Sequence, residues 1–305
     1  MGQRTRPPGE LLELLARARR LLVGTGRLEG DALGAAVALH LGFTRLGLDC
    51  ALCLPGPVPE SLDFLPVRPE ADGRATEPPD LGLVVEDEGC GPEFPIRSTS
   101  CPVLALSRSP CGPLPGWRNP AAAALGEMVY DLLETLQVPL DRDLALALYT
   151  SIFVGSDSFR SARVTPDTHL RVARLLEFEV PTDRIGRRVM RQKDFDDLKL
   201  LGQVLARLEV LGDGQLVWSV LDAEADPGEL SLLLDYLSQV RGAQVTALAQ
   251  PLPDGRARLY LPQGSALVGL ELGPGPCPTA LVPSLAEGRR ALVEAVSRLD
   301  PAAAG

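Results

Sequence analysis

Residues 21–54 read LLVGTGRLEGDALGAAVALHLGFTRLGLDCALCL, and the fold turns on how this stretch divides. Leu21–Thr25 is a short apolar run, and Asp31–Leu46 is a helix stopped by Gly47. Asp49–Leu54 is again a strand, closed by the turn PGPVPE. Strand–helix–strand is the building unit of a parallel sheet, because parallel neighbours need a long crossover between them. The pattern continues on both sides. Glu10–Arg20 is an amphipathic helix with Leu11, Leu14, Leu15 and Ala18 on one face. Leu81–Val85 and Pro102–Leu106 are unbroken apolar runs, typical of strands covered on both faces. The expectation is an α/β protein with a doubly wound parallel sheet in its N-terminal domain.

Further along, Ala121–Leu136 and Leu144–Phe153 have helical spacing. A third helix runs from the N-cap Thr165, with Pro166 at its first position, to Leu176. Asp194–Leu211 reads as a charged connector helix. Strands then follow at Gln215–Leu221, Gln244–Gln250, Arg256–Leu261 and Ala266–Leu272, with helices at Pro227–Val240 and Leu285–Leu299. The expected organisation is a domain over 1–190, a connector over 191–213 and a smaller α/β domain over 214–305, with a cleft between the two domains. LGPGPCP (272–278) is a loop.

The 305 residues carry 30 Lys+Arg against 40 Asp+Glu, a formal net charge of -10. That balance argues against a duplex-DNA binder, although a local groove for a short anionic ligand stays open. Aromatic residues make up 4% of the chain, so no stacking platform is evident. No stretch reaches the ~18 uncharged apolar residues of a membrane span. The charged MGQRTRPPGELLELLARARR start lacks the apolar core of a secretory signal, so the expected compartment is the cytoplasm. Six cysteines in a reducing compartment are expected to be free thiols. Cys50 and Cys53 sit on one strand with side chains to opposite faces, which is wrong for chelation. Two histidines, His40 and His169, exclude a multi-histidine metal centre, and both read as structural.

GTGRLEGDALGAAVALHLGFTRLG (from Gly24), NPAAAALGEMVYDLLETL (from Asn119), LALALYTSIFVGSDSFRSARVTPDTHLRVARLL (from Leu144) and LGQVLARLEV (from Leu201) occur in this order. Together they resemble the DHH phosphoesterases, in the branch of nanoRNA-degrading oligoribonucleases and pAp phosphatases related to RecJ. The C-terminal third resembles the DHH-associated substrate-binding domain. The resemblance implies two divalent cations, usually manganese, clamping a phosphate for in-line displacement. It also carries that family's ligand positions onto this chain. The first motif places its histidine at Thr25, its first aspartate at Glu29 and its second at Asp31, with Ala32, Gly34 and Ala35 after it. The acid that follows the next strand falls on Glu86, beside Asp87. The D-H-H triplet falls on Ser107, Arg108 and Ser109. The aspartate of the D-T-G-S-F motif falls on Gly155, with Asp157 two residues later. The glycine-rich substrate loop falls on Gly273 to Pro278, including Gly275, and its histidine becomes Cys277. The substrate arginine falls on Pro262.

Arg108 is the informative change. A guanidinium stays charged, so where a histidine held a cation it would repel that cation and pair with Asp31, Glu29 or Glu86. Plainer roles stand beside this one. Asp31 could be a helix N-cap, Glu29, Glu86 and Asp87 solvated loop acids, and Asp157 a turn residue, while Arg160 could hold a phosphate or face solvent. Glu127 and Asp131 are acids that could enter the site. The expected function is a degenerate, non-catalytic homologue that binds a nucleotide or short single-stranded RNA or DNA. Its ligand contacts would be Arg108, Asp157, Arg160, Gly273, Gly275 and Cys277, and it would use no cofactor. One alternative is an active phosphodiesterase or phosphatase on nanoRNA, pAp or a cyclic dinucleotide, with manganese or magnesium on Asp31, Glu29 and Glu86. Another is a structural subunit with a vestigial cleft. No membrane partner is expected, and a homodimer is.

Overall fold

A computed structural model describes residues 6–67, 78–86, 100–191, 195–262, 273 and 277–298. The chain divides into two compact units, Met1–Gln192 and Lys193–Gly305.

The first unit is built on five parallel strands: β1 (Arg20–Thr25), β2 (Asp49–Cys53), β3 (Leu81–Val85), β4 (Val103–Ser107) and β5 (Gly116–Arg118). Their order is β2-β1-β3-β4-β5. The chain moves one way from β1 to β2 and the other way from β1 to β3, so the winding reverses at β1. In sheets of this order, ligands bind outside the carboxyl ends of the strands at that reversal. Thr25, Glu86 and Ser107 all sit at or just past those ends.

Alternation along the strands sorts their side chains onto two faces. Leu21, Val23, Leu52, Leu83, Val85 and Leu106 join the main core, together with apolar residues of α1 (Gly9–Arg17), α2 (Gly30–Arg45), α3 (Leu125–Thr135), α4 (Arg142–Gly155) and α5 (Pro166–Leu176). Trp117 of β5 is buried in the same core. Leu22, Cys53 and Val84 form a small cluster on the other face. Cys50 and Cys53 therefore fall on opposite faces, and both are free thiols. Helix α2 is apolar almost all round and nearly every residue of it is buried, as a helix packed on all sides must be. Its Gly34 allows a close crossing of α4: a Cβ there would lie 2.8 Å from the Ala147 carbonyl oxygen and 3.1 Å from Ser151 Cβ. The unit closes with α6 (Thr182–Gly186) and a π-helical turn, Arg187–Arg191.

The second unit holds α7 (Phe195–Ala206), β6 (Glu209–Leu211), β7 (Leu216–Val220), α8 (Pro227–Leu237), β8 (Val245–Pro251), β9 (Ala257–Tyr260), β10 (Thr279–Val282) and α9 (Leu285–Val296). Its sheet order is β10-β9-β8-β7-β6, with β7 and β8 parallel and the other pairs antiparallel. Leu292, Ala295 and Val296 of α9 pack one face against Leu216 and Trp218. Leu201 and Val204 of α7 pack the other face with Leu230, Leu233, Leu234 and Leu237 of α8.

Several expected boundaries move. The helix expected over 121–136 begins at Leu125, because its cap comes from another helix, as described below. The charged helix expected to reach Leu211 ends at Ala206 and belongs to the second unit. Glu209–Leu211 pairs antiparallel with β7 across Gly212-Asp213-Gly214, all three at positive φ, so GDG is a hairpin turn. β5 and β10 were not anticipated. The strand expected at 266–272 lies outside the described residues.

Candidate active site

Asp31 lies in the first turn of α2, not at its cap; the N-cap is Glu29, which is exposed and makes no side-chain capping bond. The Asp31 carboxylate caps a different helix. Its Oδ1 accepts the Leu125 N–H at 3.0 Å, the opening donor of α3, whose own N-cap Ala124 has no side chain to offer. Ser151 of α4 adds a hydroxyl 2.7 Å from Oδ1. The close crossing at Gly34 is what brings Ser151 within reach.

Asp31 Oδ2 accepts no hydrogen bond among the described residues, and it faces Arg108 Nη2 at 3.3 Å. Arg108 follows β4 and is fixed by main chain: Nη1 donates to the Ala123 carbonyl at 2.8 Å and to the Gly155 carbonyl at 3.2 Å. Gly155 closes the arrangement, since a Cβ there would sit 2.3 Å from Asp31 Oδ2 and 2.7 Å from Ala124 Cβ.

Burial outweighs the guanidinium and pushes the Asp31 carboxyl up to about 6, while Arg108, Ser151 and the Leu125 N–H pull the other way. An acid raised in the folded state binds its proton more tightly there than when unfolded. This group's contribution is therefore most favourable below about pH 4 and is lost as pH climbs to about 6. The displacement corresponds to about 3 kcal/mol. Urea unfolding from pH 4 to 7 should shift the balance between wild type and Asp31→Asn by that amount toward the variant; parallel curves would mean Asp31 titrates as an ordinary carboxyl.

Glu86, buried and at φ 56, begins the turn after β3. Its Oε1 accepts the Ser107 hydroxyl at 2.7 Å, and Ser107 Oγ accepts the Ser109 N–H at 3.0 Å. Two of the three D-H-H positions thus form a neutral hydrogen-bonded turn on Glu86. Arg118 stiffens the rest of the loop by donating to the Cys111 and Leu114 carbonyls.

The remaining positions are more local. Thr25 is buried, and its hydroxyl donates to the Arg27 carbonyl and accepts the Arg27 N–H, both at 3.1 Å. Asp157 and Arg160 are exposed and pair with each other at 2.7 Å. In the second unit, Gly273 bridges to Thr279, and buried Cys277 lies 3.5 Å from the Ser231 hydroxyl. Asp87 and Gly275 lie outside the described residues. Glu127 and Asp131 are not substitute acids in the site. Arg171 of α5 holds Asp131 through two bonds of 2.9 and 2.7 Å, and Glu127 accepts from Thr168 and from the Ala123 N–H.

So the structure brings together Asp31, Arg108 and Gly155, joined by Ser151 and the Ala123–Leu125 turn, which sequence reasoning missed. Among the described residues, no group of three or more His, Cys, Asp or Glu is placed to hold a metal ion. The donors do not suit a pair of divalent cations: one oxygen of Asp31 is taken up by N–H and O–H donors and the other faces a fixed positive charge. No described helix is long and apolar enough to cross a membrane.

No family model matches the chain. It is 28% identical over 240 residues to the bifunctional oligoribonuclease and PAP phosphatase NrnA of Thermus thermophilus, covering 74% of this chain and 71% of that protein. Among solved structures, it superposes on an exopolyphosphatase-related protein from Bacteroides fragilis with TM-score 0.77 and 13% identity, over 95% of each chain. It superposes on exonuclease RecJ bound to manganese with TM-score 0.51 and 15% identity, over 98% of this chain and 97% of that one. The expected resemblance to the DHH-family, RecJ-like phosphoesterases is thus supported in sequence by the Thermus relative and in fold by the two solved structures.

Proposed function

We propose that the first unit binds a nucleotide, or the end of a short single-stranded RNA or DNA, at the Asp31–Arg108 site without two-metal hydrolysis. The observation that carries this reading is the Arg108 guanidinium, 3.3 Å from Asp31 Oδ2 and anchored by two main-chain carbonyls. It stands where the family it resembles places a metal-binding histidine. A permanent cation there opposes a divalent metal and favours a phosphate. Gly155 supports the same reading, because Asp31 already fills the space a ligand carboxylate would need.

The rival reading is an active manganese- or magnesium-dependent phosphoesterase using Asp31, Glu29 and Glu86, and the name of the Thermus relative favours it. Calorimetry with manganese chloride and a hydrolysis assay on pAp and a short RNA separate the two. The expected result is no saturable manganese binding and no turnover. Two tight manganese sites, with hydrolysis abolished by Asp31→Ala, would establish the rival.

A further inference from the structure

Glu127 stands in the first turn of α3, 7% exposed, with both carboxylate oxygens taken. Oε1 accepts the Thr168 hydroxyl at 2.5 Å, and Thr168 Oγ1 in turn accepts the Thr165 N–H at 3.1 Å. Oε2 accepts the Ala123 N–H at 2.8 Å. An acid at the third position of a helix ordinarily reaches back to the N–H of the cap residue. Here the cap is Ala124, and Glu127 reaches one residue further back.

Ala123 is where this carboxylate meets the site. The residue is fully buried, so its main chain has no water to turn to. Its N–H goes to Glu127, and its carbonyl accepts Arg108 Nη1 at 2.8 Å. Two residues on, the Leu125 N–H goes to Asp31 Oδ1 at 3.0 Å. The turn before α3 is therefore gripped by two acids, Asp31 from α2 and Glu127 from α3 itself. The carbonyl between those two gripped N–H groups is the one that holds Arg108.

Little else fixes the guanidinium. Nη1 has a second, longer bond to the Gly155 carbonyl at 3.2 Å, and Nη2 faces Asp31 Oδ2 at 3.3 Å. Nε is buried with no hydrogen-bond partner among the described residues. Removing the Glu127 carboxylate would strand the buried Ala123 N–H. The turn would have to rearrange to satisfy it, and the Ala123 carbonyl would move with it.

We propose that Glu127 is a positioning residue of the Asp31–Arg108 site: through the main chain of Ala123 it sets the direction of the Arg108 guanidinium, and it touches no ligand itself. This deepens the nucleotide-binding reading above and rests on it for the ligand. The placement of Arg108 is measurable with none bound.

Two readouts on the full chain test it. The first is the set of N–H NMR signals of the Arg108 guanidinium, identified by their loss in Arg108→Lys. Hindered rotation about Nε–Cζ keeps the Nη signals separate, and free rotation merges them. They should be separate in wild type and in Glu127→Gln, whose amide oxygen can accept the Ala123 N–H while its NH₂ donates to Thr168. They should merge in Glu127→Ala. Thr168→Val removes the hydroxyl on Glu127 and should broaden them, and it carries the test should Glu127→Ala not fold. Thr165→Ala removes the side-chain cap of α5 but no donor to Glu127, so it should leave them unchanged. The second readout is calorimetry with 5′-AMP. Affinity should fall about tenfold in Glu127→Ala, the scale of one charge-assisted hydrogen bond, and stay within about threefold of wild type in Glu127→Gln.

Separate Nη signals in both Glu127→Ala and Thr168→Val overturn the proposal. So do merged signals in Thr165→Ala, which would mean that any loosening where α3 meets α5 frees Arg108. Equal losses in Glu127→Gln and Glu127→Ala overturn it as well, because the charge and not the held turn would then matter. A wild type that binds no 5′-AMP overturns the nucleotide reading, and the Nη signals still decide the positioning.

Discussion

Arg171→Met is expected to lower the stability of the protein by about 3–5 kcal/mol. The side chain is 5% exposed and carries its charge into the interface between α3 and α5. There it grips Asp131 with two parallel bonds of 2.9 and 2.7 Å, and it lies 3.8 Å from Glu127 and 6.0 Å from the centre of the Tyr130 ring. Methionine keeps most of the volume and none of the charge, so two buried carboxylates lose their compensating cation. That is the costly way to break a buried pair. Replacing both partners by apolar residues is often near neutral, so adding Asp131→Leu should recover part of the loss. Denaturant unfolding of both variants checks this; a loss below about 1 kcal/mol for Arg171→Met would show that water reaches the pair.

Gly155→Ala is expected to cost about 3 kcal/mol, the upper end of ordinary overpacking. The new methyl group would lie 2.3 Å from Asp31 Oδ2 and 2.4 Å from its Cγ. Asp31 cannot step aside without releasing the Leu125 N–H and the Ser151 hydroxyl. The cost should therefore depend on Asp31. In an Asp31→Ala background the same change should cost at least about 1 kcal/mol less, the coupling expected of residues in direct contact. Additive effects would mean the obstruction is Ala124 instead, 2.7 Å from the new atom. Gly155→Asp should be worse than Gly155→Ala, because it adds a second carboxylate beside one that burial already pushes toward its neutral form.

Much of the first sheet is legible in the sequence because its four longer strands are apolar runs and its helices keep regular spacing. β5 and β6 escape notice because three residues cannot display a period. The start of α3 is unreadable for a different reason. Its cap is Asp31, 94 residues earlier in the chain, and local sequence carries no trace of a tertiary cap. The same holds for Ser151 on Asp31, 120 residues apart. Arg108 stands out through the family resemblance alone; nothing in SRSPC announces a partner for it. The interface of α3 and α5 did leave a signal. Glu127, Asp131 and Glu134 form one row on α3, and Thr168, Arg171 and Arg174 form another on α5. They meet as Glu127 with Thr168, Asp131 with Arg171 and Glu134 with Arg174. Matching rows of opposite character on two helices would have disqualified Glu127 and Asp131 as spare acids.

The chain's two indoles fall one to each half: Trp117 against the helices of the parallel sheet and Trp218 against α9, 3% and 2% exposed. Each should change its emission when its own half opens, since each is shielded from water when that half is closed. With Trp117→Phe or Trp218→Phe, intrinsic fluorescence becomes a one-compartment thermometer, and the order in which the halves melt can be followed with no added label.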